Sequence, residues 1–120
     1  MKVFKFGGAS VKDADAVRNV GNIIQSHSSD ELLIVVSAMG KTTNALEAIL
    51  NDYWNKNNKA SKAVEDLIEF HKDILQALFQ DSGATIYTQL NQIFEALQTK
   101  INSEPSDNDH FEYDQIVSLG

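Results

Sequence analysis

Two short stretches hold the residues whose types and spacing could do chemistry: KFGGAS at residues 5–10 and SAMGKTTN at residues 37–44. Both combine lysine, glycine and hydroxyl side chains, a set suited to phosphate. In the first, Lys5 stands between Phe4 and Phe6 at the end of an apolar run. A lysine there needs an anion or a way out to solvent. Gly7 and Gly8 carry no Cβ, so a ligand can come close to the backbone. A helix predicted from Val11 to Gln25 would aim its N-terminal amides and the positive end of its dipole at the same spot. Lys5 could then neutralise charge on a phosphoryl group in transfer. The glycine pair alone also fits a plain turn, and Ser10 fits either a helix N-cap or a phosphate donor.

The second stretch imitates a P-loop, G-x-x-x-x-G-K-[ST], through Gly40, Lys41 and Thr42. Counting back from Gly40 gives Val35, inside an apolar run, where the motif needs its first glycine. The loop from Ser37 to Met39 is too short to wrap a phosphate in successive amides. A tight strand-to-helix turn, capped by Thr43 or Asn44, explains the same residues. Ser37, Thr42 and Thr43 still place hydroxyls beyond the carboxyl end of a predicted strand, where open α/β sheets bind ligands.

The elements that must position these residues follow from periodicity. KVFKF at residues 2–6 reads as a short strand. LLIVVS at residues 32–37 is a continuous apolar run, the pattern of a parallel strand buried on both faces. With the intervening helix they form a βαβ unit, whose crossover should be right-handed. From Thr42 onward the spacing is helical. Asn44 and Glu47 resemble a capping box ahead of Leu46, Ile49, Leu50, Tyr53 and Trp54. A second helix is expected over 60–80, ended by Gly83 as a C-cap, a third over 85–102, and a fourth that is still running at Gly120. Tyr53 and Trp54 read as core or domain-contact aromatics. His71 reads as a satisfied core histidine, and Glu65, Asp66 and Glu69 as a solvated face.

Composition narrows the function. The chain has 120 residues, 42% of them apolar, and a net charge of −7. That length suggests one domain or part of one. An acidic chain lacks the basic footprint of sequence-independent nucleic-acid binding, although a local lysine and backbone amides can still hold a small anion. There is no cysteine, so disulfides and thiolate chemistry are absent. No apolar run reaches the roughly 20 residues of a membrane span, and no signal-peptide pattern follows Met1, so the cytoplasm is the expected compartment. His27, His71 and His110 lie far apart, Glu104, Asp107 and Asp109 have no ligand spacing, and no metal site is expected. Two parallel strands cannot cover themselves, so the sequence reads as the front of a larger α/β domain. The competing reading is a helical module with a minor two-stranded appendage.

Taken together the two stretches resemble a family. KVFKFGGASV is similar to the opening of aspartate kinases, usually K-F-G-G-T-S. VVSAMGKTTNAL resembles their V-V-S-A-M-x-x-x-T-N-x-L segment, and YDQIVSLG their D-x-I-V-S-x-G-E segment, cut before the glutamate. The resemblance implies an amino-acid-kinase-like α/β/α sandwich, with residues 1–120 as the N-terminal part of the catalytic domain. The C-terminal nucleotide-binding half and the regulatory ACT domains would lie outside the chain. It implies that Lys5 contacts the transferring phosphate and that Gly7, Gly8 and Ser10 belong to the ATP phosphate loop. Ser37 and Thr43 would lie at the aspartate site, with Gly40, Lys41 and Thr42 a bystander turn. Ala9 departs from the usual threonine, so a hydroxyl contact is lost while an amide contact survives.

The reaction so implied is transfer of the γ-phosphoryl group of ATP, with Mg2+, to the β-carboxylate of L-aspartate, as in lysine biosynthesis. The aspartate carboxylate is itself the nucleophile, and phosphoryl transfer asks the protein mainly for positioning and charge neutralisation. The expected partners are L-aspartate and MgATP, without nucleic acid or membrane. A homo-oligomer is expected, with self-association of the chain and no turnover by it alone. The rival readings are another amino-acid kinase with a different acyl or carbamoyl substrate, a nucleotide binder centred on Lys41, and a non-catalytic helical interaction module.

Overall fold

Parallel pairing organises the first third of the chain. In the computed structural model, which describes residues 1–81 and 84–120, strand β1 (Lys2–Phe6) pairs with β2 (Leu32–Val36). The ladder runs from Lys2 opposite Leu32 to Phe6 opposite Val36. A single 3-10 turn (Gly8–Val11) and helix α1 (Ala14–Ser26) make the crossover. The chain divides into two compact units, Met1–Thr42 and Thr43–Gly120.

Side chains alternate across a strand, so Phe4 and Phe6 share one face of β1 while Val3 and Lys5 share the other. The Phe face packs against Val11, Val17, Val20, Ile23 and Ile24, which makes the core of the first unit. Helix α1 is short of a free N-terminus: the Asp13 carboxylate accepts the Ala16 N–H at 2.8 Å. That cap, preceded by the 3-10 turn, moves the helix start from the expected Val11 to Ala14.

Strand β2 is not covered within this chain, in line with the reading that two parallel strands cannot cover themselves. Leu33, Ile34, Val35 and Val36 are between 37 and 54% exposed. None of them joins the cluster that α1 makes with Phe4 and Phe6. A two-stranded sheet offers too little width for one helix to cover both strands, and the apolar run of β2 is left in contact with water.

The second unit is helical: α2 (Thr42–Trp54), α3 (Lys59–Leu78), α4 (Thr85–Ile101) and α5 (Asp109–Val117). The expected capping box is not formed, because α2 already begins at Thr42 and Glu47 lies in its second turn. Helix α3 ends at Leu78, with Phe79 extended behind it, and the proposed cap at Gly83 lies outside the described residues. Helix α5 stops at Val117 rather than running to Gly120. All four helices meet in one core of Leu46, Ile49, Tyr53, Val64, Leu67, Phe94, Leu97 and Ile116. Tyr53 is a core residue as expected, whereas Trp54 is 38% exposed. His71 is half-buried, its Nδ1 2.9 Å from the Leu67 carbonyl and its ring edge-on to Phe70 and Phe94.

One ion pair sits at the edge of this core. Glu112 is fully buried in the first turn of α5, its Oε2 2.8 Å from the ammonium of Lys100 on α4. Its Oε1 accepts the Ser106 N–H at 2.8 Å, and the Lys100 ammonium lies over the rings of Tyr53 and Phe111. Burial works to raise the Glu112 pKa, but the Lys100 ammonium and the Ser106 N–H outweigh it and hold the carboxyl below its ordinary value. The hydrogen bond to Glu112 raises the Lys100 pKa. A depressed carboxyl pKa stabilises the fold above the unfolded-state pKa, and that contribution is lost as pH falls through the folded value. Glu112→Gln should therefore cost ~2–4 kcal/mol at pH 7, less than a fully buried pair because Lys100 keeps some solvent. The cost should shrink below about pH 4 in urea titrations. An equal loss at pH 7 and pH 3 would show that the ion pair is not what holds α5.

Candidate functional site

Because β1 and β2 are parallel, both deliver their following loops to the same edge of the sheet. The Ser37 N–H donates to the Phe6 carbonyl at 2.9 Å, extending the ladder one step into those loops. The Gly40 N–H then donates to the Gly8 carbonyl at 3.0 Å. Gly40 itself has φ of 56°, the left-handed region in which glycine is favoured. A Cβ built on Gly8 would collide with the Gly40 carbonyl oxygen and lie 3.2 Å from that of Ala38. So the KFGGAS and SAMGKTTN loops touch backbone to backbone, and Gly8 is the residue that allows it.

Gly7 has a different environment. A Cβ there would meet no atom within 4 Å, and the backbone is extended, at φ −76° and ψ 175°. Gly7 leaves open space beside the strand end, whereas Gly8 fills a close contact. Ser10 lies inside the 3-10 turn, its N–H donating to the Gly7 carbonyl at 2.9 Å. It is not the N-cap of α1, a position taken by Asp13. One of the amides at the start of α1 is thus taken by a carboxylate.

Lys5 is exposed on the face of β1 opposite Phe4 and Phe6. It takes no part in the ion pairs found among the described residues. Its route out of the apolar strand is to solvent, with its ammonium available. The first unit therefore gathers Lys5, Gly7, Gly8, Ser10 and Ser37 at the carboxyl edge of its sheet, with Ser37 exposed. Thr43 is exposed in the first turn of α2 and belongs to the second unit.

The P-loop alternative loses ground on the same geometry. The Thr42 side chain is buried and its hydroxyl donates to the Met39 carbonyl, closing the strand-to-helix turn. A P-loop needs that hydroxyl for Mg2+. Gly40 is more than a bystander, since it is the partner that Gly8 packs on. Among the described residues no group of three or more His, Asp or Glu is arranged to hold a metal, and no helix is long and apolar enough to cross a membrane.

Residues 1–119 match the model of the amino acid kinase family. The chain belongs to the amino acid kinase family. Aspartokinase 2, chloroplastic, of Arabidopsis thaliana is 52% identical over 44 residues, which is 37% of this chain and 8% of that protein. The aspartokinase of Rickettsia felis is 32% identical over 75 residues, 61% of this chain and 19% of that protein. A bifunctional aspartokinase/homoserine dehydrogenase, chloroplastic, of Daucus carota is 30% identical over 89 residues, 73% of this chain and 10% of that protein. In these matches the chain spans a fifth or less of the relative's length. As a member of this family it contributes two parallel strands and a mostly helical remainder to an α/β fold.

The sequence marks the two glycine loops but not their contact. Nothing in the spacing of Gly8 and Gly40, which lie 32 positions apart, announces a backbone hydrogen bond. The signal that could have found it is the positive-φ glycine closing a strand-to-helix turn in a parallel pair. The division of labour predicts opposite outcomes for two alanine substitutions. Gly8→Ala must push the loops apart and should cost ~1–3 kcal/mol in denaturant unfolding. Gly7→Ala fits its backbone and its space, and should be neutral or stabilise by up to about 1 kcal/mol through the unfolded chain. Equal stability of the two variants would remove the close approach as the reason for Gly8.

Proposed function

We propose that this chain supplies the N-terminal part of the catalytic domain of an aspartate kinase. The full enzyme would transfer the γ-phosphoryl group of MgATP to the β-carboxylate of L-aspartate. The observation that carries this reading is the backbone contact between Gly8 and Gly40. It ties together the two loops at the sheet edge next to the exposed Lys5, the open Gly7 and Ser10, which supports the reading. The similarity to aspartokinases supports the choice of substrate over another acyl or carbamoyl acceptor.

Each residue has a role under this proposal. The Lys5 ammonium neutralises charge building on the transferring phosphoryl group, an electrostatic contribution that needs no motion during reaction. Gly7 lets the triphosphate approach the backbone, Gly8 fixes the loop, and Ser10 offers a further donor. Ser37 and Thr43 contact the amino-acid substrate. Open space at Gly7 and the available Lys5 fit a phosphate chain, and Mg2+ would arrive with the nucleotide, since this part of the protein offers no carboxylate cluster for it. The reading places the enzyme in the cytoplasm and in amino-acid biosynthesis.

Three outcomes test the proposal. In the full-length kinase Lys5→Ala should lower kcat by ~100-fold or more, the scale of a charge-stabilising group, with a smaller effect on the KM for aspartate. Near wild-type kcat would remove Lys5 from the chemistry, and turnover with a different carboxylate in place of aspartate would shift the substrate. The isolated 120-residue chain should release no ADP in response to aspartate, since most of a kinase's length lies elsewhere. With the aliphatic run of β2 exposed, that chain should also self-associate in light scattering, and a clean monomer would favour a free-standing helical module.

A further inference from the structure

Helices α2 and α5 run antiparallel, since Glu47 meets Tyr113 near one end of their contact and Trp54 and Asp109 line it near the other. Between them lies an open groove of about 400 Å³, lined by Glu47, Leu50, Asn51, Trp54, Asp109 and Tyr113. Its Glu47 end lies one turn from Thr43 on α2, and its Trp54 end lies eleven residues beyond Thr43, roughly 16 Å along the helix axis. The stacking end is therefore apart from the substrate role proposed for Thr43.

Its chemistry is one-sided. An exposed indole and a phenol form the apolar part, and two carboxylates, Glu47 and Asp109, form the rim. Neither α2 nor α5 contains a lysine or arginine. The Glu47 carboxylate accepts a hydrogen bond from the neutral Tyr113 hydroxyl at 3.0 Å, and Asp109 accepts the N–H of His110 at 2.9 Å. Neither takes part in an ion pair among the described residues, in contrast to Glu112 on the same helix, whose charge is matched by Lys100. An aromatic face rimmed by carboxylates that have no ion-pair partner among the described residues, with Asp109 partly offset by the N-terminal end of α5, is complementary to a planar cation. A guanidinium can stack on an indole while its N–H groups reach carboxylates on either side, which a compact ammonium cannot do equally well.

We propose that the α2–α5 groove docks an arginine side chain presented by another polypeptide, with Trp54 as the stacking platform and Glu47 and Asp109 as the anionic rim. Trp54 is the one tryptophan in the chain, so its fluorescence reads the groove directly. The probe is acetyl-arginine methylamide, titrated at low ionic strength against its neutral citrulline counterpart and against free arginine. The arginine probe should change Trp54 emission saturably, with half-saturation on the order of millimolar for one cation–π contact and two solvent-exposed charges. Raising NaCl to 0.5 M should weaken it several-fold by screening. Citrulline should bind at least about tenfold more weakly. The double variant Glu47→Gln, Asp109→Asn should lose the saturable response while keeping its far-UV circular dichroism, since glutamine can still accept the Tyr113 hydroxyl. An unchanged response to citrulline, a response surviving in the double variant, or no saturable response in the wild type would overturn the proposal. Tighter binding of free arginine than of the blocked form would overturn it too, because the groove would then be an amino-acid site and not a docking surface.

Discussion

The first unit depends on a contact between two backbones. The Gly40 N–H meets the Gly8 carbonyl, and the missing Cβ of Gly8 is what lets the chains come that close. Parallel pairing brings the two loops to one edge, but it leaves them side by side without fixing them. The glycine contact fixes them. It does so with main-chain atoms alone and uses no side chain of that edge. A loop held in this way is better suited to phosphate than a flexible one, because a phosphoryl group is stabilised by charges already in place. Lys5 belongs to the same frame, carried on a paired strand rather than on the loop.

The second unit is held by a different kind of constraint. Its core is an apolar cluster from four helices, held by non-directional burial. The Lys100–Glu112 pair adds a directional constraint. The carboxylate must find both an ammonium on α4 and the Ser106 N–H of the preceding loop, and the ammonium must lie between two aromatic rings. A buried pair of this kind is weak evidence for stability but strong geometry for register. It explains why a helix as short as α5, with little amphipathic character in its sequence, has one defined position against α4.

What the sequence could and could not show follows from which contacts are local. Periodicity located both strands and all the helices within about three residues, because burial of a stripe is written into neighbouring positions. The start of α2 at Thr42 matches the helical spacing, whereas the α1 start expected at Val11 and the capping box expected at Asn44 are not found. A 3-10 turn and nearby residues use the same capping types, and spacing alone does not choose between them. The exposure of β2 has a physical reason: a run of Leu, Ile and Val describes what a strand is suited to, not whether a neighbour is there to cover it. At the site, the residue types were legible, but the roles of the two glycines were not. Gly7 and Gly8 are adjacent and identical in sequence, and they differ only in what stands opposite them.

Charge distribution reconciles an acidic chain with the proposed phosphate site. Up to Thr42 the sequence has five basic residues against four acidic ones; beyond it, five against thirteen. The net charge of −7 therefore belongs to the helical unit, and the unit that carries Lys5 and the glycine loops is close to neutral. Screening at physiological salt confines exposed charges to a reach of roughly 8 Å, so a bound anion responds to the residues around it rather than to the total. The acidic excess of the helices is by the same argument a local property. Where two helices devoid of lysine and arginine close on an aromatic groove, the groove's own charged side chains are carboxylates, which suits the proposed cation. The proposed anion site on the sheet edge and the proposed cation site between the helices are thus compatible in one chain.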